Sequence, residues 1–180
     1  TGTLAVLYNA YESLYGEEPI SALIKGVLMN TAEDLGNPGP DFTYGFGRIN
    51  ARRAYEVLEA GQFVIDSIDP AETLTYTVAV PNNIREVRVM VYWNDREGAP
   101  NASTPLVNNL NMQVITPTST YLPWVLDPTP NSNNLSANAV RGTDVLNNVE
   151  QVTILDPDFT TMDIQINGAS IPFAGQEFVV

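Results

Sequence analysis

Four groups of residues in this chain have types and spacings that could support chemistry. Ser21 precedes Lys25 by four residues, one helical turn, so a lysine amine could in principle activate a serine hydroxyl; Ser13 and Thr31 are the other hydroxyls on helical segments. Asp144, Asn148 and Glu150 offer side-chain oxygens within a short span, as a calcium site in an extracellular β-sandwich loop does. Tyr92, Trp93, Tyr121 and Trp124 could form an aromatic platform for a sugar or an extended peptide. Gly45-Phe46-Gly47 has the first two glycines of a phosphate-binding loop.

Each group also has a structural reading. Ser21 and Lys25 fit a solvated or packed helix face, since residues four apart on a helix are neighbours whatever their chemistry. Asp144, Asn148 and Glu150 fit a polar turn whose side chains bond nearby backbone groups, and their spacing lacks the glycine and ligand ladder of an EF-hand. Trp93 falls in an alternating strand and reads as core, whereas Trp124, between Pro123 and Val125, is the better binding candidate. Gly45-Phe46-Gly47 follows no strand and lacks the third glycine and the downstream acid, so it reads as a turn needing positive φ.

The chain has no histidine and no cysteine, which excludes a Ser-His-Asp triad, a histidine metal site, a thiolate zinc site and a disulfide. No catalytic, cofactor-binding or metal residue is therefore assigned, and calcium is the single cofactor candidate. Eight Lys and Arg against 21 Asp and Glu give a net charge of -13, which repels nucleic acid and anionic membrane surfaces. With 44% hydrophobic and only 16% charged residues, the chain is apolar enough to fold rather than remain an acidic disordered tail. No apolar run reaches the ~20 residues of a membrane-spanning helix.

The elements that must position these residues change character near Gly61. Leu4, Leu7, Tyr8, Tyr11 and Tyr15 recur at helical spacing, but Ala5 and Val6 between them make the first helix apolar nearly all round, as in a helix deep inside a larger domain. Gly16 ends it, Glu18-Pro19 opens a second helix with a stripe of Ile20, Leu23, Ile24, Val27 and Leu28, and Asn50 caps a third whose inward face is Ala51, Ala54, Val57 and Leu58. Within residues 1 to 61 these helices have no strand to pack against.

After Gln62 the period becomes two. Leu74 to Val80, Val87 to Trp93, Leu110 to Val114, Val152 to Leu155, Met162 to Ile166 and Glu177 to Val180 read as strands. Pro81-Asn82-Asn83, Asp156-Pro157-Asp158 and Asn167-Gly168 read as turns between them, and Asp127 to Asn138 as an excursion. Roughly eight strands without intervening helices predict two packed antiparallel sheets over residues 62 to 180, a jelly-roll-like sandwich. The fold class is α+β, with helices in 1 to 61 followed by this sandwich.

Two stretches carry a family resemblance. Lys25-Gly-Val-Leu-Met-Asn-Thr-Ala-Glu-Asp34 and Tyr44-Gly-Phe-Gly-Arg-Ile-Asn-Ala51 resemble the last helices and closing motif of subtilisin-like serine peptidases, and Thr1 to Leu7 looks like the buried helix that follows their nucleophile. Trp93-Asn94-Asp95, Leu106-Val-Asn-Asn-Leu-Asn-Met112, Asn147-Asn-Val-Glu-Gln-Val152 and Gln176 to Val180 are similar to a β-sandwich attached behind the catalytic domain in some secreted bacterial members. The resemblance implies that serine, histidine, aspartate and the oxyanion-hole asparagine all lie upstream, so that the chain itself is inactive. It also implies secretion or cell-surface exposure, the upstream part of the same protease as partner, and protein or peptide substrates reached through the parent enzyme. Members often have aspartate where this chain has Asn109 and Asn111, which weakens any cation site relying on those charges. The alternative from another class is a non-catalytic cell-surface module that binds glycans or proteins.

Overall fold

A computed structural model describes residues Thr1 to Val180 as three helices, ten short or medium strands and one further helical turn. Helix α1 spans Gly2–Tyr15 and stops at Gly16, whose φ of 77° is the left-handed conformation that glycine takes without strain. Helix α2 spans Ser21–Asn30, starting later than Glu18-Pro19 predicts. Pro19 is buried and Ile20 is extended with ψ at 144°, so both residues anchor the approach instead of forming the first turn. Helix α3, Ala51–Glu59, begins as expected at Asn50, whose side-chain oxygen accepts a hydrogen bond from Arg53 N at 3.0 Å.

The remaining elements are β1 (Ile65–Ile68), β2 (Thr73–Ala79), β3 (Glu86–Tyr92), β4 (Asn109–Ile115), β5 (Thr120–Tyr121), β6 (Trp124–Val125), α4 (Ser132–Leu135), β7 (Val140–Arg141), β8 (Val149–Leu155), β9 (Thr161–Ser170) and β10 (Gln176–Val179). One sheet has the order β1-β10-β3-β8, the other β2-β9-β4-β5, and β6 and β7 form a separate two-stranded ribbon. Every pairing is antiparallel. Leaving the ribbon aside, the first of the eight strands pairs with the last, the second with the seventh, the third with the sixth and the fourth with the fifth. That is a long antiparallel hairpin rolled over on itself, the jelly-roll arrangement.

Between the sheets lies a core built from the alternating inward residues: Val87, Val89, Val91 and Trp93 on one side, Leu110, Met112, Val114, Ile164 and Ile166 on the other. The strands that escaped sequence reading are short or irregular. β5, β6 and β7 have two residues each, and β1 reads Ile-Asp-Ser-Ile with only Ile68 buried, so no period of two can develop. Asn167-Gly168 is not a turn but lies inside β9. A side chain at 168 would stand 2.5 Å from Asp69 O, and the register opposite shifts at Asn109/Leu110, so this glycine marks a bulge and a close backbone approach.

The helices do have a sheet to cover, and it lies beyond residue 61. Leu23, Ile24 and Val27 of α2 pack with Leu7 and Tyr11 of α1, Ala54 and Leu58 of α3, and Tyr92 and Val179 on the outer face of β3 and β10. Gly26 permits the approach, since a Cβ there would already sit 3.2 Å from Val179 Cγ2. This double covering explains why the last four residues of β3 are all buried, with no alternation. Leu4, Val6 and Leu14 of α1 stay exposed.

Candidate functional site

The first candidate set dissolves on the helices. Ser13 Oγ donates to Asn9 O at 2.8 Å and Thr31 Oγ1 to Val27 O at 2.7 Å, both within their own helix turn. Ser21 Oγ accepts from Asn94 Nδ2 at 3.1 Å, while Lys25 Nζ donates to Tyr92 OH at 3.3 Å and stands 5.7 Å from the centre of that ring. Serine and lysine are thus each engaged with the sheet rather than with each other, and neither is set up as a nucleophile and base.

Around this seam the polar contacts join helix to sandwich. Asn30 Nδ2 donates to Arg88 O at 3.3 Å, Gln151 Nε2 donates to Asn30 Oδ1 at 3.1 Å, and Arg88 Nη1 donates to Ala32 O at 2.6 Å. The loop that follows α2 is braced from inside. Buried Asp41 accepts from Asn37 N, Thr43 N and Tyr44 N at 3.0, 2.8 and 2.6 Å. Burial works to raise its pKa, but those three backbone donors outweigh it and hold the carboxyl below its ordinary value. Arg48 pairs with Glu33, and the two residues also form a small antiparallel bridge. Gly45 and Gly47 have φ of 62° and 104°, so they serve the turn, as their alternative reading predicts.

The four aromatic residues form no common platform. Trp93 is fully buried between the sheets and donates Nε1–H to Asn108 O at 3.0 Å; Tyr92 faces the helices; Tyr121 packs at the edge of the sandwich core. Trp124, the expected binding residue, is half-buried and in contact with two distant segments. The Arg141 guanidinium lies 3.5 Å from its ring centre, and Gly39 comes so close that a Cβ there would be 3.1 Å from the indole. Trp124 Nε1 also reaches Thr153 Oγ1 at 3.3 Å. The indole therefore ties the Asn30 to Asn50 loop to the sandwich, and a glycine at 39 is what lets the loop lie against it.

Asp144, Asn148 and Glu150 end with three different duties. Asp144 Oδ1 accepts from Leu146 N and Asn147 N at 2.8 and 3.1 Å, and its Oδ2 accepts from Asn147 Nδ2 at 2.7 Å, closing its own turn. Asn148 Nδ2 donates to Trp93 O at 2.6 Å. Glu150 is only 1% exposed, and its Oε2 accepts from Met112 N at 2.6 Å on the opposite sheet, leaving Oε1 without a partner. The three do not present a shared set of free oxygens, and nowhere do three or more acidic, histidine or cysteine side chains gather as metal ligands do.

Glu150 lines a half-open cavity of about 300 Å³ together with Asn111, Gln113, Leu122, Gln165 and Asn167. Asn111 Oδ1 is a second buried oxygen without a partner on that wall. Burial pushes the Glu150 carboxyl up to about 8; the charge of Asp144 adds to the rise, and the backbone N–H groups of Met112 and Asp144 oppose it. The inward position was readable: Glu150 has the same parity as Val152 and Ile154, the buried residues of its strand. Arg141, Asp41 and Gly39 carried no comparable signal, because their roles depend on a loop meeting a distant ribbon.

The polar residues of Trp93-Asn94-Asp95, of Leu106 to Met112 and of the start of β10 act as locks. Asp95 accepts from Val107 N and Asn108 N at 2.7 and 2.9 Å, and the Asn108 amide in turn donates to Gln176 Oε1 at 2.8 Å and to Phe173 O at 3.1 Å. They fix the long connection between β3 and β4 against the start of β10.

No protein-family profile matches the chain. Among individual proteins, it is 27% identical over 179 residues to the serine protease/ABC transporter B family protein tagA of Dictyostelium discoideum. That alignment covers 93% of this chain and 10% of the relative, so the chain spans about a tenth of that protein's length. The likeness is to a protease-related protein, and it runs through the helices and the sandwich alike.

Proposed function

We propose that this chain is the C-terminal part of a secreted subtilisin-like serine endopeptidase. In this reading residues 1 to 61 complete the catalytic domain, and the sandwich of residues 62 to 180 braces that domain or modulates substrate access. The observation that carries it is the seam: α2 and the loop after it, which hold the subtilase-like motifs, are packed and hydrogen-bonded onto β3, β8 and β10, of which β8 and β10 hold sandwich motifs. A relative named as a serine protease, aligned across 93% of the chain, supports treating the two parts as one unit.

Peptide-bond hydrolysis belongs to the parent protein in this proposal. The chain has no histidine to act as the base, and its hydroxyls are occupied as described. Catalytic serine, histidine, aspartate and oxyanion-hole asparagine would all come from the upstream part, which is therefore the proposed partner, with peptide substrates meeting that part. The alternative is a glycan- or protein-binding module, for which Trp124, half-buried between the Gly39 loop and Arg141, would be the contact residue.

The coding sequence immediately before Thr1 tests the proposal. A Gly-Thr-Ser-x-x-x-Pro segment leading into Thr1 is the expected finding. An unrelated sequence at that place would sink it.

A further inference from the structure

Strand β2 leaves one of its edges without a partner, in a part of the molecule that the protease reading does not use. It stands at the end of the order β2-β9-β4-β5 and pairs with β9 alone. Just beyond its two ends, Val80 N donates to Thr160 O at 2.8 Å and Gly168 N donates to Glu72 O at 3.0 Å. An antiparallel ladder alternates, so Leu74, Tyr76 and Val78 between them turn their N–H and C=O groups toward β9 as well. Thr73, Thr75, Thr77 and Ala79 turn theirs away, and no other strand lies there to receive them. All four residues are exposed.

Edges of this kind usually carry something that keeps other strands off: a lysine, a proline, an inward charge or a bulge. Thr73-Leu-Thr-Tyr-Thr-Val-Ala79 has no charged residue and no proline, and its register with β9 runs unbroken. Its threonines, valine and tyrosine favour extended backbone. Leu74, Tyr76 and Val78 pack toward the sandwich core, while the threonines stand on the outer face.

The spacing of the free rungs decides what fits them, because they lie symmetrically about Tyr76. A two-fold axis there sets Thr73 opposite Ala79 of a second copy and Thr75 opposite its Thr77, so every free N–H meets a free C=O in one antiparallel register. On the inner face Leu74 meets Val78 of the second copy, and Tyr76 meets its own equivalent as an aromatic pair. Each copy has a net charge of -13, but the strand itself contributes none of it. Glu72 falls opposite Val80 instead of another acid, and the two Asp163 carboxyls are three strand spacings apart, about 14 Å, beyond the Debye length of about 8 Å. Asp66, which accepts from Tyr76 OH at 2.8 Å, is the acid that the axis brings toward its own equivalent, so moderate salt favours association.

We propose that this edge is a self-association site: two copies of the chain pair β2 to β2 about Tyr76 and join two four-stranded sheets into one continuous sheet. Sedimentation equilibrium of the whole chain from about 1 to 200 μM in about 0.3 M salt should show a reversible monomer–dimer equilibrium. Hydrogen exchange at the amides of Thr73, Thr75, Thr77 and Ala79 should slow at the upper concentration and not at the lower. Thr75→Pro removes a donor that β9 does not use, at a position where an edge strand tolerates proline, so the variant should still melt cooperatively yet stay monomeric.

Two further variants test the register. Thr75→Lys with Thr77→Lys sets lysine against lysine across the axis and should weaken the dimer about tenfold, although it lowers the net negative charge. Thr75→Glu with Thr77→Lys sets opposite charges there and should restore it. Both keep a lysine beside Asp163, which Thr77 Oγ1 bonds at 2.6 Å, so the two differ at one position of the outer face. A wild-type chain that stays monomeric throughout would overturn the proposal and leave the edge to a strand of another protein. Equal dimerisation by wild type and T75P, or by the two charge variants, would overturn it as well.

Discussion

Gly47 shows how much a single position can control. Its φ is 104°, and a Cβ added there would lie 2.0 Å from Glu33 O, so the glycine is needed both for its backbone angle and for the space it leaves. Gly45, two residues earlier, has φ of 62° but nothing within 4 Å of where its Cβ would be. Gly47→Ala should therefore cost about 3 kcal/mol or more, and Gly45→Ala about 1 kcal/mol, the strain of a left-handed alanine alone. Denaturant melts of the two variants check this, and equal losses would contradict it. At this scale the sequence was readable where a residue acts on its own neighbours, as Asn50 does at the start of α3. It was silent where two distant residues meet, as Gly39 and Trp124 do, because no local pattern encodes that contact.

Among the elements, α2 is the one whose surroundings matter most. Its apolar stripe was legible from helical spacing, but its destination was not, since the outer face of β3 and β10 lies about 60 to 150 residues away in sequence. The all-apolar end of β3, Val89 to Tyr92, was the available clue: a strand buried on both faces loses its alternation. Expressed alone, residues 1 to 61 should lack a cooperative melting transition and bind a hydrophobic dye, because Leu23, Ile24 and Val27 would lose Tyr92 and Val179 as cover. A sharp, reversible transition of that segment would show that the helices do not depend on the sheet. The short strands β5, β6 and β7 mark the opposite limit, where two residues are too few for any periodic signal.

Across the whole molecule, the rolled hairpin of eight strands and the helices on one of its faces form a continuous set of contacts, and exposed apolar side chains remain on both parts, Leu155 and Val140 of the sandwich among them. Leu4, Val6 and Leu14 of α1 are exposed as well, and the loop between α2 and α3 exposes Phe42, Tyr44 and Ile49. Isolated exposed apolar residues are ordinary, and those of α1 and of the loop after α2 are the ones that a further part of a catalytic domain would cover in the proposed reading. In the proposed reading the parent protein hydrolyses peptide bonds and this chain alone does not. Treating the longer protein and the 180-residue chain in parallel with a fluorophosphonate probe, then locating the modified residue by mass spectrometry, tests it most directly. A single labelled serine a few residues before Thr1 in the parent, and no label in the chain alone, is the expected result. Label on Ser13, Ser21 or any other serine of this chain, or none in a folded parent, would contradict it.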